Sequence, residues 1–472
     1  MSSIPASVHA ALGPALRLTA DHVEVVDATA LATPAMDTLV RLAVFGSADE
    51  KAWARWVIWE AGRAVGTFSA SIHAFYMARG RGDVPPVTVP AMNIRGPSYD
   101  TMRAIFRTAR TMDGGAFILE IARSEIAYTE QRPEEYVAVA LGAALREGYR
   151  GPVFIQGDHF QVNAKKYKAD PIAEVTAVEQ LATEAVAAGF YNIDLDTSTL
   201  VDLSHATLDA QQRLNYEVGV ALTRHVRGLE PGGVTISLGG EIGEVGTENS
   251  TVAELEAFMD GYQRTLAAQA PGMTGLAKIS VQSGTSHGGV VLADGSIADV
   301  ALDFTTLEDL SRVARKRYGL AGAVQHGAST LPDGAFHRFP TTETAEIHLA
   351  TGFQNMLFDH LPAALREEIY AWLRVHAAEE RKAGDSDEQF IYKTRKKAFG
   401  PFKRALWDLP ADLKAAIASA YDAKFGFLFE QLGVRGTGPA VRAMVTGPAV
   451  PRRSPAIAEA IAAAPDDAEA GE

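Results

Sequence analysis

The chain has 472 residues, 47% hydrophobic and 22% charged, which is enough for a full core and exceeds the roughly 250 residues of a lone (β/α)8 barrel. A net charge of −14 repels phosphate backbones and anionic lipid, so neither nucleic acid nor a membrane is an expected partner. The absence of cysteine excludes disulfides, thiolate metal sites and cysteine nucleophiles, leaving histidine, carboxylate and carbonyl groups to hold any metal. Met1 to Leu12 lack a basic run followed by an apolar core, and no stretch reaches about 18 uninterrupted apolar residues, so a cytoplasmic location is expected.

In chain order, residues 1–86 read as a helical N-terminal extension. Helices are predicted over Leu39 to Val44 and Lys51 to Val65, where Trp53, Trp56, Val57 and Trp59 cluster, and no chemistry is evident there. Gly80-Arg81-Gly82-Asp83 and Pro85-Pro86 mark a boundary. From Val87 onward, apolar runs of strand length alternate with helical patterns, which predicts an α/β fold with a TIM (β/α)8 barrel over 87–360. The predicted strands are Val87–Asn93, Ala116–Ala122, Val153–Gly157, Tyr191–Asp196, Val234–Gly240, Ala277–Gln282, Ala321–Gln325 and Ala345–Ala350. Between them, helices are expected at Tyr99–Thr111, Glu134–Glu147, Ile172–Ala188, Asp209–Arg227, Val252–Gln269 and Leu307–Tyr318, with Ser98, Asp209 and Ser250 as caps.

Active sites of such barrels lie at the carboxyl ends of the strands, so the polar residues found there carry the functional reading. They are Asn93, Asp158 with His159, Asp194 with Asp196, Glu241, His287, His326, and His348 with Thr351. A lone histidine at a strand end is usually a structural residue. His159, His287 and His326 occupy equivalent positions on different strands, two of them beside glycine, and neutral imidazoles so placed can hold a zinc ion with open positions for substrate. Histidines 9, 22, 73, 205, 225, 337, 360 and 376 lack that setting. Asp194 and Asp196 alternate with Ile193 and Leu195, and one of them is expected to point inward while the other faces a helix. Gly288, Gly289 and Gly327 would let backbone N–H groups turn toward an anion.

Four stretches then stand together: Asp158-His159, Gly240-Glu241-Ile242-Gly243-Glu244-Val245-Gly246, Gly284-Thr285-Ser286-His287-Gly288 and His326-Gly327-Ala328-Ser329. In this order they resemble the class II, zinc-dependent aldolases that cleave fructose 1,6-bisphosphate or tagatose 1,6-bisphosphate. The resemblance covers roughly Val87 to Phe358. It implies His159, His287 and His326 as metal ligands, with Asp196 and Glu241 steadying a ligand histidine or binding a second divalent or monovalent cation. It makes Asp158 the general acid/base and Glu248 the mobile-loop carboxylate that exchanges the carbon proton. Asn93, Gly288, Gly289, Gly327, Ser329, His348 and Thr351 fall at substrate- and phosphate-binding positions. The implied reaction is reversible cleavage of a phosphorylated ketose to dihydroxyacetone phosphate and glyceraldehyde 3-phosphate through an enediolate stabilised by zinc, or by cobalt or manganese. A homo-oligomer, dimer or tetramer, is expected.

Departures from the family pattern concern the substrate. His348 matches neither the fructose nor the tagatose branch, and Ala122 stands where a phosphate-contacting serine is usual. An epimerase of a sugar acid or sugar phosphate, or a noncatalytic support subunit, are the rival readings. Residues 361–435 read as a helical C-terminal extension, with helices over Leu365 to Arg374 and Leu413 to Gly433. Lys393, Lys396 and Lys397 near Tyr392 read as a solvated basic face, with a lid over substrate phosphate as the alternative. Residues 436–472, rich in Pro, Ala, Gly and acid, read as a disordered tail.

Overall fold

The computed structural model describes residues 4–19, 21–243, 248–284, 292 and 302–462. Its strands are β1 (Leu16–Leu18), β2 (Val23–Val25), β3 (Thr67–Ala70), β4 (Val89–Asn93), β5 (Ile118–Ala122), β6 (Gly151–Gln161), β7 (Asn192–Asp196), β8 (Ser237–Glu241), β9 (Lys278–Val281), β10 (Ala323–Gln325) and β11 (Glu346–Leu349). β1 and β2 form a small antiparallel ribbon. β4 through β11 pair in parallel in chain order, and β11 returns to β4, closing the predicted barrel. Each predicted barrel strand overlaps one observed strand; β6 is longer than expected at both ends, and β8 runs one residue past the expected Val234–Gly240.

The helices between strands lie outside the barrel because their apolar faces need cover. In Ser98–Met112, for example, Met102, Ile105, Phe106 and Ala109 are buried while Arg110 is exposed. All three expected caps shift. Thr207 caps the helix Leu208–Gly228, and Thr251 forms a reciprocal capping box with Glu254 at Val252–Gln269. Ser250 instead accepts a hydrogen bond from Gln282 N, and Ser98 lies inside its helix and donates to Gln131.

The helical extension of residues 1–86 also contributes β3. This strand runs in register with the lower half of β6, Thr67 against Gly151 through Ala70 against Phe154, while β7 pairs with β6 only from Gln156 onward. β3 thus fills the wedge between β6 and β7 at the amino-terminal end of the barrel. Asn192 locks it there, accepting from Ile72 N (2.9 Å) and donating to Ala70 O (3.2 Å) and Ile155 O (3.0 Å). The following helix, His73–Arg81, forms the floor: buried Arg79 donates to Val87 O and Thr344 O, each at 2.8 Å, and to Ala321 O. Four residues are too few for a strand pattern to stand out beside the strong helical signal of Ala48–Ala64.

The C-terminal extension folds back on the barrel. Helix Ala411–Gln431 lies along Ser98–Met112, with Arg107 forked onto Asp422 at 3.1 and 2.8 Å. The disordered tail read from residue 436 is corrected over the described part. Gly438–Met444 is helical with Val441 buried, and the backbone carbonyls of Val450 and Arg452 accept the indole N–H groups of Trp59 (2.7 Å) and Trp56 (3.0 Å). Buried indoles need acceptors, a demand that the tail's own composition does not reveal. Residues 463–472 lie outside the described residues. Among the described residues no helix is long and apolar enough to cross a membrane.

Candidate active site

A straight strand would send Asp158 and His159 to opposite faces, yet both line the barrel mouth. The register explains it: Gly157 pairs with Ile193 and Phe160 with Leu195, so β6 carries one extra residue against β7 at this point. His159 takes the strained left-handed conformation, φ 41°, that this bulge requires. Gly157 permits it, because a Cβ there would lie 2.4 Å from the Phe160 ring.

His159 Nδ1 donates to Asp196 at 2.9 Å and lies 3.5 Å from Glu241. Asp196 is fixed in turn by Gln161 (2.6 Å) and by Ser198 Oγ (2.7 Å) and N (3.1 Å). With Nδ1 protonated toward Asp196, the His159 lone pair resides on Nε2, the carboxylate–histidine arrangement that orients metal ligands. The His326 ring lies 4.3 Å from that of His159, centroid to centroid, and donor atoms of His159, Glu241 and His326 fall within 4.8 Å of one another. Burial works against a charged His159, but Asp158, Asp196 and Glu241 outweigh it and raise its pKa well above the ordinary range. Burial and the neighbouring Asp196 push the Glu241 carboxyl well up, the signature of a negative site short of positive charge. Imidazoles and carboxylates so grouped fit a divalent cation. His287, Gly288 and Gly289 lie outside the described residues.

Asp194 and Asp196 both face the barrel interior, which corrects the expectation that they diverge: residues two apart on a strand share a face. Asp194 belongs to a second network beneath the mouth. Lys278 donates to Asp194, Gln156 (2.8 Å) and Glu346, and Tyr76, rising from the floor helix, also donates to Glu346. His348 joins this network to the mouth, with Nε2 2.7 Å from Glu346 and Nδ1 3.1 Å from Asp158 and 3.2 Å from Glu120. Burial disfavours the charged His348, yet Glu120 and Asp158 raise its pKa well above the ordinary value. His348, expected at a substrate-binding position, thus lines the cavity while its ring nitrogens engage carboxylates. Replacing Lys278 with methionine strands Asp194 and Glu346 without their cation. The expected result is a loss of about 3–5 kcal/mol of stability, read from the urea unfolding midpoint.

The mouth opens into a cavity of about 910 Å³, lined by Asn93, Asp158, His159, Gly327, Ser329, His348 and Thr351 among others. Asn93 donates to Glu125 (2.6 Å) and lies 3.4 Å from Asp158. Gly327 adopts φ +72°, Ser329 Oγ accepts from Ala350 N at 2.5 Å, and Thr351 opens the helix Thr351–His360. Glu248 is exposed, and residues 244–247 before it lie outside the described residues. Sequence reasoning missed Glu120, Gln156, Lys278 and Glu346, and it missed Arg95, Arg123 and Lys166 on the cavity wall. A signal existed for part of this set: Glu120, Gln156, Asp194 and Glu346 each precede Ala122, Asp158, Asp196 and His348 by two residues, so each lies one layer deeper in the barrel.

Solved structures of similar fold include fructuronate-tagaturonate epimerase UxaE from Cohnella laeviribosi, at 12% identity and TM-score 0.52, covering 80% of this chain and 85% of that one. A probable tagatose 6 phosphate kinase from Sinorhizobium meliloti shares 18% identity at TM-score 0.50, covering 79% and 98%. The YdjI aldolase from Escherichia coli K12 shares 12% identity at TM-score 0.46, covering 78% and 99%. At such identities the first two likenesses bear on fold alone, and the third carries no argument. No curated protein sequence matches the chain. The family model described as fructose-bisphosphate aldolase class-II matches residues 86–405, a span that takes in every barrel strand and the clustered histidines at its mouth. The chain therefore belongs to the class II fructose-bisphosphate aldolase family.

Proposed function

We propose that the protein is a divalent-metal-dependent aldolase that cleaves and forms a phosphorylated ketose, with fructose 1,6-bisphosphate as the first candidate substrate. The observation that supports this most is the convergence of His159, Glu241 and His326 beside the carboxylate of Asp158. His159 and His326, with Glu241 near both, would hold the cation, and when bound it supplies Lewis acidity toward a carbonyl and its neighbouring hydroxyl.

The remaining work falls to the chain itself. Asp158, buried at the strand end and hydrogen-bonded to His348, is placed to take the proton of the hydroxyl whose loss accompanies carbon–carbon cleavage, and to return it in the reverse direction. Asn93 keeps an amide beside that carboxylate. The left-handed turn at Gly327 and the amino terminus of the helix Thr351–His360 offer backbone N–H groups to a phosphate.

Epimerisation of a sugar acid or sugar phosphate is the second reading. It is favoured by His348, an ionisable ring in contact with Asp158, which would give the site a second proton carrier. Product analysis separates the two. With zinc, cobalt or manganese supplied, triose phosphate captured by a coupled dehydrogenase means cleavage, and an isomeric sugar without fragments means epimerisation. Stoichiometric metal with turnover that EDTA abolishes is the expected result. Turnover that survives complete chelation would sink the metal reading, and protein that neither binds metal nor turns over any sugar would leave the support-subunit reading standing.

A further inference from the structure

The C-terminal extension builds a wall of the cavity. Helix Asp387–Thr394 and the turn Arg395–Ala398 place Tyr392, Lys393 and Lys396 on it. The segment is seated firmly: the Phe399 ring lies where a Cβ on Gly96 would approach within 2.5 Å, Gly400 N donates to Tyr128 O at 3.0 Å, and Arg395 lies 4.9 Å over Phe358.

The basic groups here are not equivalent. Lys397 pairs with Glu380 and does not line the cavity, and exposed Lys393 pairs with Asp385 at 2.7 Å. Arg95 is committed to Glu125 (2.7 Å), Asn93 (3.2 Å) and Gln354 (3.4 Å). Lys396 alone of these is half-buried on the cavity with no ion pair among the described residues. Its ammonium feels the repulsion of Arg95, opposed in part by Glu125. Burial and Arg95 together hold its pKa below the ordinary lysine range. With Glu125 already paired to Arg95, the Lys396 ammonium stands on a partly desolvated cavity wall with no ion pair among the described residues, a cost that an anion would relieve.

We propose that Lys396, backed by Arg95, binds the anionic group at one end of the substrate, a phosphate or a carboxylate, and so makes the C-terminal extension a specificity element of the site. This deepens the reading of the cavity as a sugar site and rests on it.

The test has two arms on the full-length, metal-loaded protein. Trace acetylation with acetic anhydride and peptide mapping, with and without inorganic phosphate at about ten times its dissociation constant, should show Lys396 labelling fall roughly tenfold while Lys397 is unchanged. Equal labelling of Lys396 in both samples overturns the proposal. In the kinetic arm, Lys396→Met should raise KM roughly tenfold with kcat within about twofold, and Lys396→Arg should restore it, as expected for binding felt equally by substrate and transition state. Sugar phosphates and sugar acids are run in parallel, and the class whose KM moves identifies the anion. An unchanged KM in both classes overturns the proposal. Wild-type protein that turns over neither class counts against the proposed function, while the labelling result still decides whether Lys396 holds an anion.

Discussion

Replacing His326 with alanine is expected to remove metal and turnover together. His326 is buried between two other imidazoles, 4.3 Å from the His159 ring and 4.2 Å from that of His348, with Ser280 Oγ 3.4 Å from its Nε2. No carboxylate on β10 can take its place, since the neighbouring residues are Gln325 and Gly327. Losing one strong donor should lower metal occupancy to a small fraction of the wild-type value, measured by atomic absorption after dialysis. Turnover should fall by at least about 10³-fold, as removal of a Lewis acid worth several kcal/mol requires. A variant that keeps stoichiometric metal and full turnover would exclude His326 as a ligand.

Asp158→Asn should behave in the opposite way toward the metal. The amide keeps the shape of the side chain and can still meet His348 and Asn93, so the bulge on β6 and the position of His159 are preserved. Metal content should stay within error of the wild type while kcat drops roughly 10²–10⁴-fold, the range for loss of a general acid/base. KM should change little if Asp158 acts mainly in the transition state. Full activity in this variant would take Asp158 out of the mechanism, and loss of metal would recast it as a ligand.

Much of the barrel was legible because its strands are short apolar runs separated by long amphipathic helices, a pattern set by local chemistry. The Asp158-His159 pair was legible as a pair, but how both side chains reach the mouth was not. That depends on one extra residue in β6 relative to β7, and register between strands is a tertiary property. Glu120, Gln156, Lys278 and Glu346 lie deeper in the barrel strands, where alternation marks a residue as inward-facing but not which other strand supplies its partner. Lys396 was legible only as one member of a basic cluster. Among Lys393, Arg395, Lys396 and Lys397 nothing local marks which ammonium meets a cavity formed by β4, β5 and β6, far away in the chain.

The strand β3 separates two notions of where this molecule begins. The family signature starts at residue 86, yet the lower wall between β6 and β7 is completed by residues 67–70, and the buried Glu346 carboxylate is reached from beneath by Tyr76. The stretch shared by inheritance and the stretch that has to be assembled as one cooperative body are therefore of different lengths. Grafting or trimming guided by the first would leave a hole in the second.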